Sequence, residues 1–436
     1  MPSAVPGFAP TLDSYLRSLK GHAHLDLTIQ SLVDLLKRRQ ISGPEDCALA
    51  TANCLRQVVA KSKWTDADTL LANVSRAGSK LMRARPNELV IGNIVRRVLG
   101  LIRDEATEDR NDGAPSETPS EGQMTPIGEM SQSFHSSAPL EAPRRPGPVG
   151  AASSANIPRS LSMLLSAKDV ADNEGTISPF GNSGTSTPLH KTTNSQVHAL
   201  RSEVINGIQE IIDEMGQVDD QIAAHAEVQI RPGDHILVYH PSPTVQRFIL
   251  RAAQKRKFTL LIHCMPQPRG ATGHDKYKAL REKLKSQGVQ TVVMTTGGGM
   301  SYMSRVNKMI IGASAITANG GVVSENFSTI VAAAAKQHRV PIVVLAGVYK
   351  LSPECPYTQE TAVEFADPMQ HVDFSDGSLV HAVEVKAGLT AFLPANLIDT
   401  YITNLGTHTW EHLSGLISDH YAEEDVNLHL KAPQDA

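Results

Sequence analysis

The chain has 436 residues, 41% hydrophobic and 20% charged, with a formal net charge of -4. That length allows two folded domains of ordinary size plus unstructured segments. The mildly acidic balance excludes an overall basic field aimed at nucleic acid or an anionic membrane surface, and no apolar run is long enough to span a bilayer.

Residues 1–10 read as a flexible N-terminus without the basic start and apolar run of a signal peptide. Residues 11–103 read as a helical domain. Leu25, Ile29, Leu32, Val33 and Leu36 recur at helical spacing. Ser42-Gly43-Pro44-Glu45 predicts a capping box, with Pro44 in the first turn where its missing N–H is harmless. Cys47 and Cys54 lie two turns apart on one helical face, which reads as core packing. With Cys264 and Cys355 they complete the four cysteines. No C-x-x-C pair suggests a metal, and a reducing, cytosolic compartment fits. Thr65 with Asp68 predicts a second capping box. Pro86 ends that helix, and another is expected over about 87–105 on Leu89, Ile94, Val98 and Leu101.

Residues 104–195 change character. They hold ten of the 26 prolines, and Phe134 and Phe180 are their only aromatics. Such a stretch buries too little apolar surface to offset backbone ordering, at ~1–2 kcal/mol per residue. It reads as a disordered, low-complexity insert with one apolar island at 160–165. Thr118-Pro119, Thr125-Pro126, Ser178-Pro179 and Thr187-Pro188 are either phosphorylation sites or ordinary disordered composition.

Residues 196–425 read as a Rossmann-like α/β domain. A long helix over about 197–226 is expected to bury Ile205, Ile208, Ile212, Met215 and Ile222. Strands are expected at 236–239, 258–263, 291–295, 308–313 and 341–345. Helices alternate with them from Thr244, over 274–287, near Met300 and over 324–338. This alternation implies a mostly parallel sheet with right-handed crossovers. A further strand is expected at 382–386. The tail 393–421 reads as helical, with Leu393, Leu397, Ile398, Ile402, Leu405, Leu413, Leu416 and Ile417 as its apolar residues. Residues 426–436 read as a flexible C-terminus. The fold class is α/β, a helical bundle followed by a Rossmann-like domain.

Ligands of open parallel sheets bind beyond the carboxyl ends of the strands. Gly297, Gly298 and Gly299 follow a strand there, as an anion loop or as a plain flexible turn. Neither G-x-G-x-x-G with a following acid nor a Walker lysine accompanies them. His240-Pro241-Ser242-Pro243 leaves the first strand, but two prolines remove donors that an anion would need. Asn319-Gly320-Gly321 forms a good turn. His263 beside Cys264 reads as a core histidine rather than half of a nucleophilic pair. No Ser-His-Asp order, carboxylate pair or metal cluster stands out, and no cofactor is expected.

Ser304-Arg305-Val306-Asn307-Lys308, Ile310-Ile311-Gly312-Ala313 and Ala318-Asn319-Gly320 resemble the family of initiation factor two-B regulatory subunits. That family also contains the methylthioribose-phosphate and ribose-bisphosphate isomerases. The resemblance covers about 11–103 and 197–425. Tyr349-Lys350-Leu351-Ser352-Pro353 and the Ser-Arg-Val-Asn-Lys stretch are similar to the beta branch rather than the alpha or delta branches.

The resemblance implies a non-catalytic regulatory subunit of the guanine-nucleotide exchange complex for initiation factor two. Its implied partners are homologous delta and alpha subunits, gamma and epsilon subunits of which epsilon carries the exchange activity, and the initiation factor's alpha subunit. Phosphorylation turns that last partner from substrate to inhibitor. The isomerase relatives use a cysteine where His240 stands, an aspartate where Ser314 stands, and an acid where Gly321 stands. A vestigial pocket of His240, Ser314, Asn319, Gly320 and Gly321 is therefore expected. His240 could still titrate. The other classes are an active sugar-phosphate isomerase and a nucleotide- or metabolite-binding module. On the long helix, Glu210, Asp213, Glu214 and Asp220 lie off the expected stripe. They are either a solvated face or, by resemblance, part of the wall that receives the initiation factor's alpha subunit.

Overall fold

The computed structural model describes residues 11–19, 21, 24–112, 189–264, 277–294, 296–356, 358–366, 375, 377, 382, 384–426 and 428. Its first part is helical: α1 Leu12–Ser18, α2 Leu25–Lys37, α3 Pro44–Lys61, α4 Ala67–Ala84 and α5 Leu89–Asp112. The expected α2 stripe of Ile29, Leu32, Val33 and Leu36 is buried, as are Cys47 and Cys54 on α3.

Both expected capping boxes are corrected. At α3 the N-cap is Gly43, at φ 96° in the left-handed region, and no side chain caps the helix. Glycine alone takes that entry angle without strain. At α4 the box sits one residue later than expected: Thr69 Oγ1 donates to Asp66 Oδ1 at 2.6 Å and accepts from the Asp66 N–H at 3.4 Å. Pro86 does end α4, because the residue before a proline is driven out of the helical region. Arg85 sits there at φ -149°, ψ 79°.

Helix α6, Leu189–Ala224, follows in the described chain, then a short α7, Ala226–Gln229. Helix α5 ends and α6 begins inside the margins assigned to the insert. The proline-directed sites, the apolar island and residues 1–10 and 429–436 lie outside the described residues. The buried stripe of α6 is rotated from the expected one. It runs through Leu200, Val204, Ile208, Ile211, Val218 and Ile222, leaving Ile205, Ile212 and Met215 half-buried. The cause is double packing. Helix α6 lies on α3 and on helix α8, Pro243–Ala253. It also meets α5 so closely that a Cβ on Gly207 would stand 2.7 Å from the Leu101 side chain.

The remaining elements alternate. Strand β1 His235–Tyr239 precedes α8. Then come β2 Thr259–His263, α9 Lys278–Ser286, β3 Gln290–Met294, α10 Thr296–Tyr302 and β4 Lys308–Gly312. A hairpin of β5 Ala315–Thr317 and β6 Val322–Glu325 leads to α11 Ser328–Gln337, β7 Ile342–Leu345 and the two-residue β8 Leu351–Ser352. Strands β9 Thr390–Leu393, β10 Thr400–Thr403 and β11 Gly406–His408 precede α12 Trp410–His420 and α13 Glu423–Val426.

The main sheet has the order β11-β10-β7-β4-β1-β2-β3. It is parallel throughout except for β11 on β10. Its inner strands β1, β2, β4 and β7 are near-continuous apolar runs because both faces are covered there. A second sheet, β8-β5-β6-β9, was not anticipated. Its short pieces pair with residues far along the chain, such as Val323 with Phe392. Ser324, expected in a helix, is therefore in β6, and α11 starts four residues later.

The tail is corrected too. Residues 393–421 contain two strands before their helix. Residues 382 and 384–386 carry no strand. Leu393, Ile402, Leu413 and Ile417 are buried against the sheet, whereas Leu405 and Trp410 stay more than half exposed. The described residues up to Asp109 and from Leu189 belong to one compact unit. Among the described residues no helix is long and apolar enough to cross a membrane.

Candidate functional site

Strand order reverses between β1 and β4, the place where an open parallel sheet leaves a crevice beyond its carboxyl edge. His240 leaves β1 there and Ser314 follows β4, so these two expected site residues stand at the carboxyl ends of neighbouring strands. His240 adopts φ 39°, a strained value for a residue with a Cβ. Its N–H donates to the His263 carbonyl at 3.1 Å. Its Nδ1 lies 3.2 Å from the Tyr277 hydroxyl, and the Tyr239 ring stands edge-on to it with centroids 4.8 Å apart.

The tyrosines are not acid–base groups at neutral pH. Burial pushes the Tyr239 phenol up to about 12, with Glu325 and Cys264 adding to the effect. Tyr277 is raised further, mainly by burial. The Tyr239 hydroxyl instead donates to the Asn326 carbonyl at 2.6 Å, tying β1 to the chain after β6. Burial also raises the Cys264 thiol, against the pull of Arg281. His263 is buried, edge-on to Tyr239 at 5.3 Å.

The β5–β6 hairpin sits over the exit of β4. The Ser314 N–H donates to the Val323 carbonyl at 2.8 Å, and Ser324 Oγ donates to the Gly312 carbonyl at 2.8 Å. Asn319 spends its side chain on its own turn. Its Oδ1 accepts from Thr317 Oγ1 at 2.6 Å and from the Gly321 N–H at 3.0 Å. Gly320 holds φ 78°, and its carbonyl accepts from the Tyr401 hydroxyl at 2.5 Å. A Cβ on Gly321 would stand 2.1 Å from the Phe392 ring. No side chain fits there unless Phe392 moves.

The glycine triplet is corrected from a loop to the first turn of α10. Gly299 faces the His263 ring at about 3 Å from its Cβ position, so ring packing accounts for its lack of a side chain. The acidic residues of α6 lie elsewhere and do not form one free wall. Glu210 and Asp213 are exposed. Asp213 accepts from Gln209 at 2.9 Å. Glu214 is tied to Arg97 at 2.7 Å, and Asp220 lies 3.4 Å from Arg247. Among the described residues no group of three His, Cys, Asp or Glu could hold a metal ion.

Sequence reasoning missed Tyr239, Tyr277 and Phe392 as crevice residues, because each arrives from a different element and no local spacing links them. It read Lys350 as part of a family motif but not as a charge buried at the exit of β7. Its ammonium lies 3.7 Å from Glu45, and burial lowers its pKa against the pull of Glu45, Asp219 and Glu88.

The model of the initiation factor 2 subunit family matches residues 40–409. The chain belongs to that family. It is 31% identical to translation initiation factor eIF2B subunit beta of Schizosaccharomyces pombe, over 93% of this chain and 98% of that one. Its fold is similar to a chain in the crystal structure of the tetrameric eIF2B-beta2-delta2 complex from C. thermophilum. The TM-score is 0.64 at 38% identity, covering 94% of this chain and all of that one. A ribose 1,5-bisphosphate isomerase from Pyrococcus furiosus is 27% identical over 49% of this chain and 65% of its own length. Within the family, these likenesses support an eIF2B subunit role.

Proposed function

We propose that the chain is a non-catalytic regulatory subunit of the guanine-nucleotide exchange complex for initiation factor two. The observation that carries this reading is end-to-end similarity to an eIF2B beta subunit, against half-length similarity to an isomerase. In this reading the chain pairs with a homologous delta subunit and assembles with alpha, gamma and epsilon subunits in the cytosol. It binds the alpha subunit of the initiation factor and senses its phosphorylation. It uses no cofactor, nucleic acid or membrane.

An aldose–ketose isomerisation needs a proton donor and acceptor flanking the sugar carbons. His240 packed between two neutral phenols, Ser314 in place of a carboxylate, and Gly321 capped by Phe392 supply no such pair. The chain purified from cells should therefore carry homologous subunits with it. Assayed with ribose-1,5-bisphosphate or methylthioribose-1-phosphate, it should give no product above a blank. A free homo-oligomer with turnover that His240→Ala abolishes would overturn the reading.

The α6 face supports the second half of the proposal, with two residues changed. Glu214 and Asp220 are committed within the chain, so Glu210 and Asp213 are the acids left on this face, and we infer that they meet a basic loop of the initiation factor's alpha subunit that carries the phosphorylation. An added phosphate on that loop meets repulsion there. Rim charges act mainly on association rate and are screened by salt. Glu210→Lys with Asp213→Lys should slow binding of the unphosphorylated partner several-fold at low salt and less at high salt, with subunit assembly intact. Unchanged association kinetics would return this face to plain solvation.

A further inference from the structure

The edge of the main sheet at β3 carries a second feature, beside the helix that starts one residue after Tyr277. Between α9 and β3 lies an open concavity of about 440 Å³. It is lined by Lys278, Arg281, Glu282 and Lys285 from α9 and by Val289, Gln290 and Thr291 at the start of β3. The three cations stand at i, i+3 and i+7 on α9 and so form one stripe. Leu280 and Leu284 anchor the opposite face of that helix in the core. Glu282, 3.9 Å from Lys278, is the acid among the described lining residues, which leaves their sum net positive. The chain as a whole is net negative, so this patch opposes the average.

Strand β3 is the last of its sheet, paired with β2 alone among the described residues. The Met294 carbonyl accepts from the Cys264 N–H at 3.1 Å, so the Met294 backbone faces β2. Backbone direction alternates along a strand. The N–H and C=O groups of Thr291 and Val293 therefore point to the open side. An edge of this kind is a template for another strand unless proline, a bulge or a charge blunts it. None lies within β3 itself, which reads Gln-Thr-Val-Val-Met, with Val293 41% exposed.

We propose that this edge and the cationic stripe of α9 together bind an extended acidic peptide segment, which adds as a further strand beside β3. The spacing suits it. The stripe from Lys278 to Lys285 spans about 10 Å of helix. Same-face side chains of an extended peptide recur every ~6.6 Å, so three alternate carboxylates, spanning ~13 Å, cover the stripe. Main-chain hydrogen bonds to β3 hold the backbone, and the cations select for acidic side chains.

The test is fluorescence anisotropy of a labelled peptide alternating glutamate and valine, with the full chain purified together with its accompanying subunits. Binding should weaken several-fold between about 50 and about 300 mM salt. Lys278→Glu with Lys285→Glu should weaken it roughly tenfold or more. Val293→Pro should do the same, because it removes an outward N–H while sparing the bonds to β2. Should that variant fold poorly, a peptide with proline in place of valine tests the same bonds on the unaltered chain, and its binding should be lost. Equal binding of the valine and proline peptides would overturn strand addition. So would displacement of the peptide by inorganic phosphate, or by single-stranded RNA, at lower concentrations than unlabelled peptide.

Discussion

Asp425→Ala should lower the stability of the chain by about 2–3 kcal/mol, read as a fall in the urea midpoint with an unchanged slope. The carboxylate is 5% exposed and grips Arg103 with both oxygens, the Nη2 contact at 2.8 Å. Its own carbonyl accepts from the fully buried Arg96 at 3.0 Å, and Arg96 also bonds Glu354 at 2.5 Å. Helix α13 is thus locked onto α5 of the helical region. Breaking a buried pair leaves an uncompensated charge, typically at ~3–5 kcal/mol. Arg103 is 29% exposed, so water recovers part of that loss. Glu424 reaches the same guanidinium at 3.8 Å but is 73% exposed. Glu424→Ala should therefore change stability by less than about 1 kcal/mol. Equal effects of the two substitutions would mean that α13 is not docked as described.

Glu88→Gln should remove a pH dependence of stability between about pH 5 and pH 8. Burial raises the Glu88 carboxyl from 4.5 to about 7; Arg85 and Lys350 oppose the shift and Glu364 adds to it. An acid whose folded pKa lies above its unfolded one keeps a proton that the unfolded chain has shed. Its contribution is present below about 4.5 and is lost as pH rises through about 7, on the order of 3 kcal/mol. Arg85, 3.6 Å away, is shared with Glu364 at 2.9 Å, so it does not fully neutralise Glu88. Relative to the variant, the unaltered chain should lose ~1–3 kcal/mol between the two pH values. Subtracting the variant's profile cancels the other titrating groups. A flat difference would show that Glu88 ionises in the ordinary carboxylate range.

Both predictions concern contacts that no local pattern reveals. Arg96 and Asp425 are 329 residues apart, and Arg85 and Glu364 are 279. The candidate crevice is a mixed case. That His240 and Ser314 share an edge was legible, because alternating strands and helices imply a parallel sheet and ligand crevices follow strand exits. That Tyr239 and Tyr277 pack against His240, and Phe392 against Gly321, was not, since each comes from a separate element. The acidic face of α6 failed in part for the same reason. Periodicity marks which residues of a helix are apolar, but the neighbours on each side decide which of them are buried and which charges are already paired.

By itself, the sequence determined the helices and the parallel strands, because periods of 3.6 and 2 are written in neighbouring residues and their burial is what stabilises each element. It also determined the family resemblance, through short runs such as Ser304–Lys308 and Tyr349–Pro353. Tertiary structure alone decided the second sheet, the strands within the tail, the rotation of α6 and the open edge beside α9. Those features depend on backbone hydrogen bonds and packing between segments far apart in the chain. Whether Val322–Glu325 is a strand is settled by the arrival of Thr390–Leu393 alongside it, not by anything in the four residues themselves.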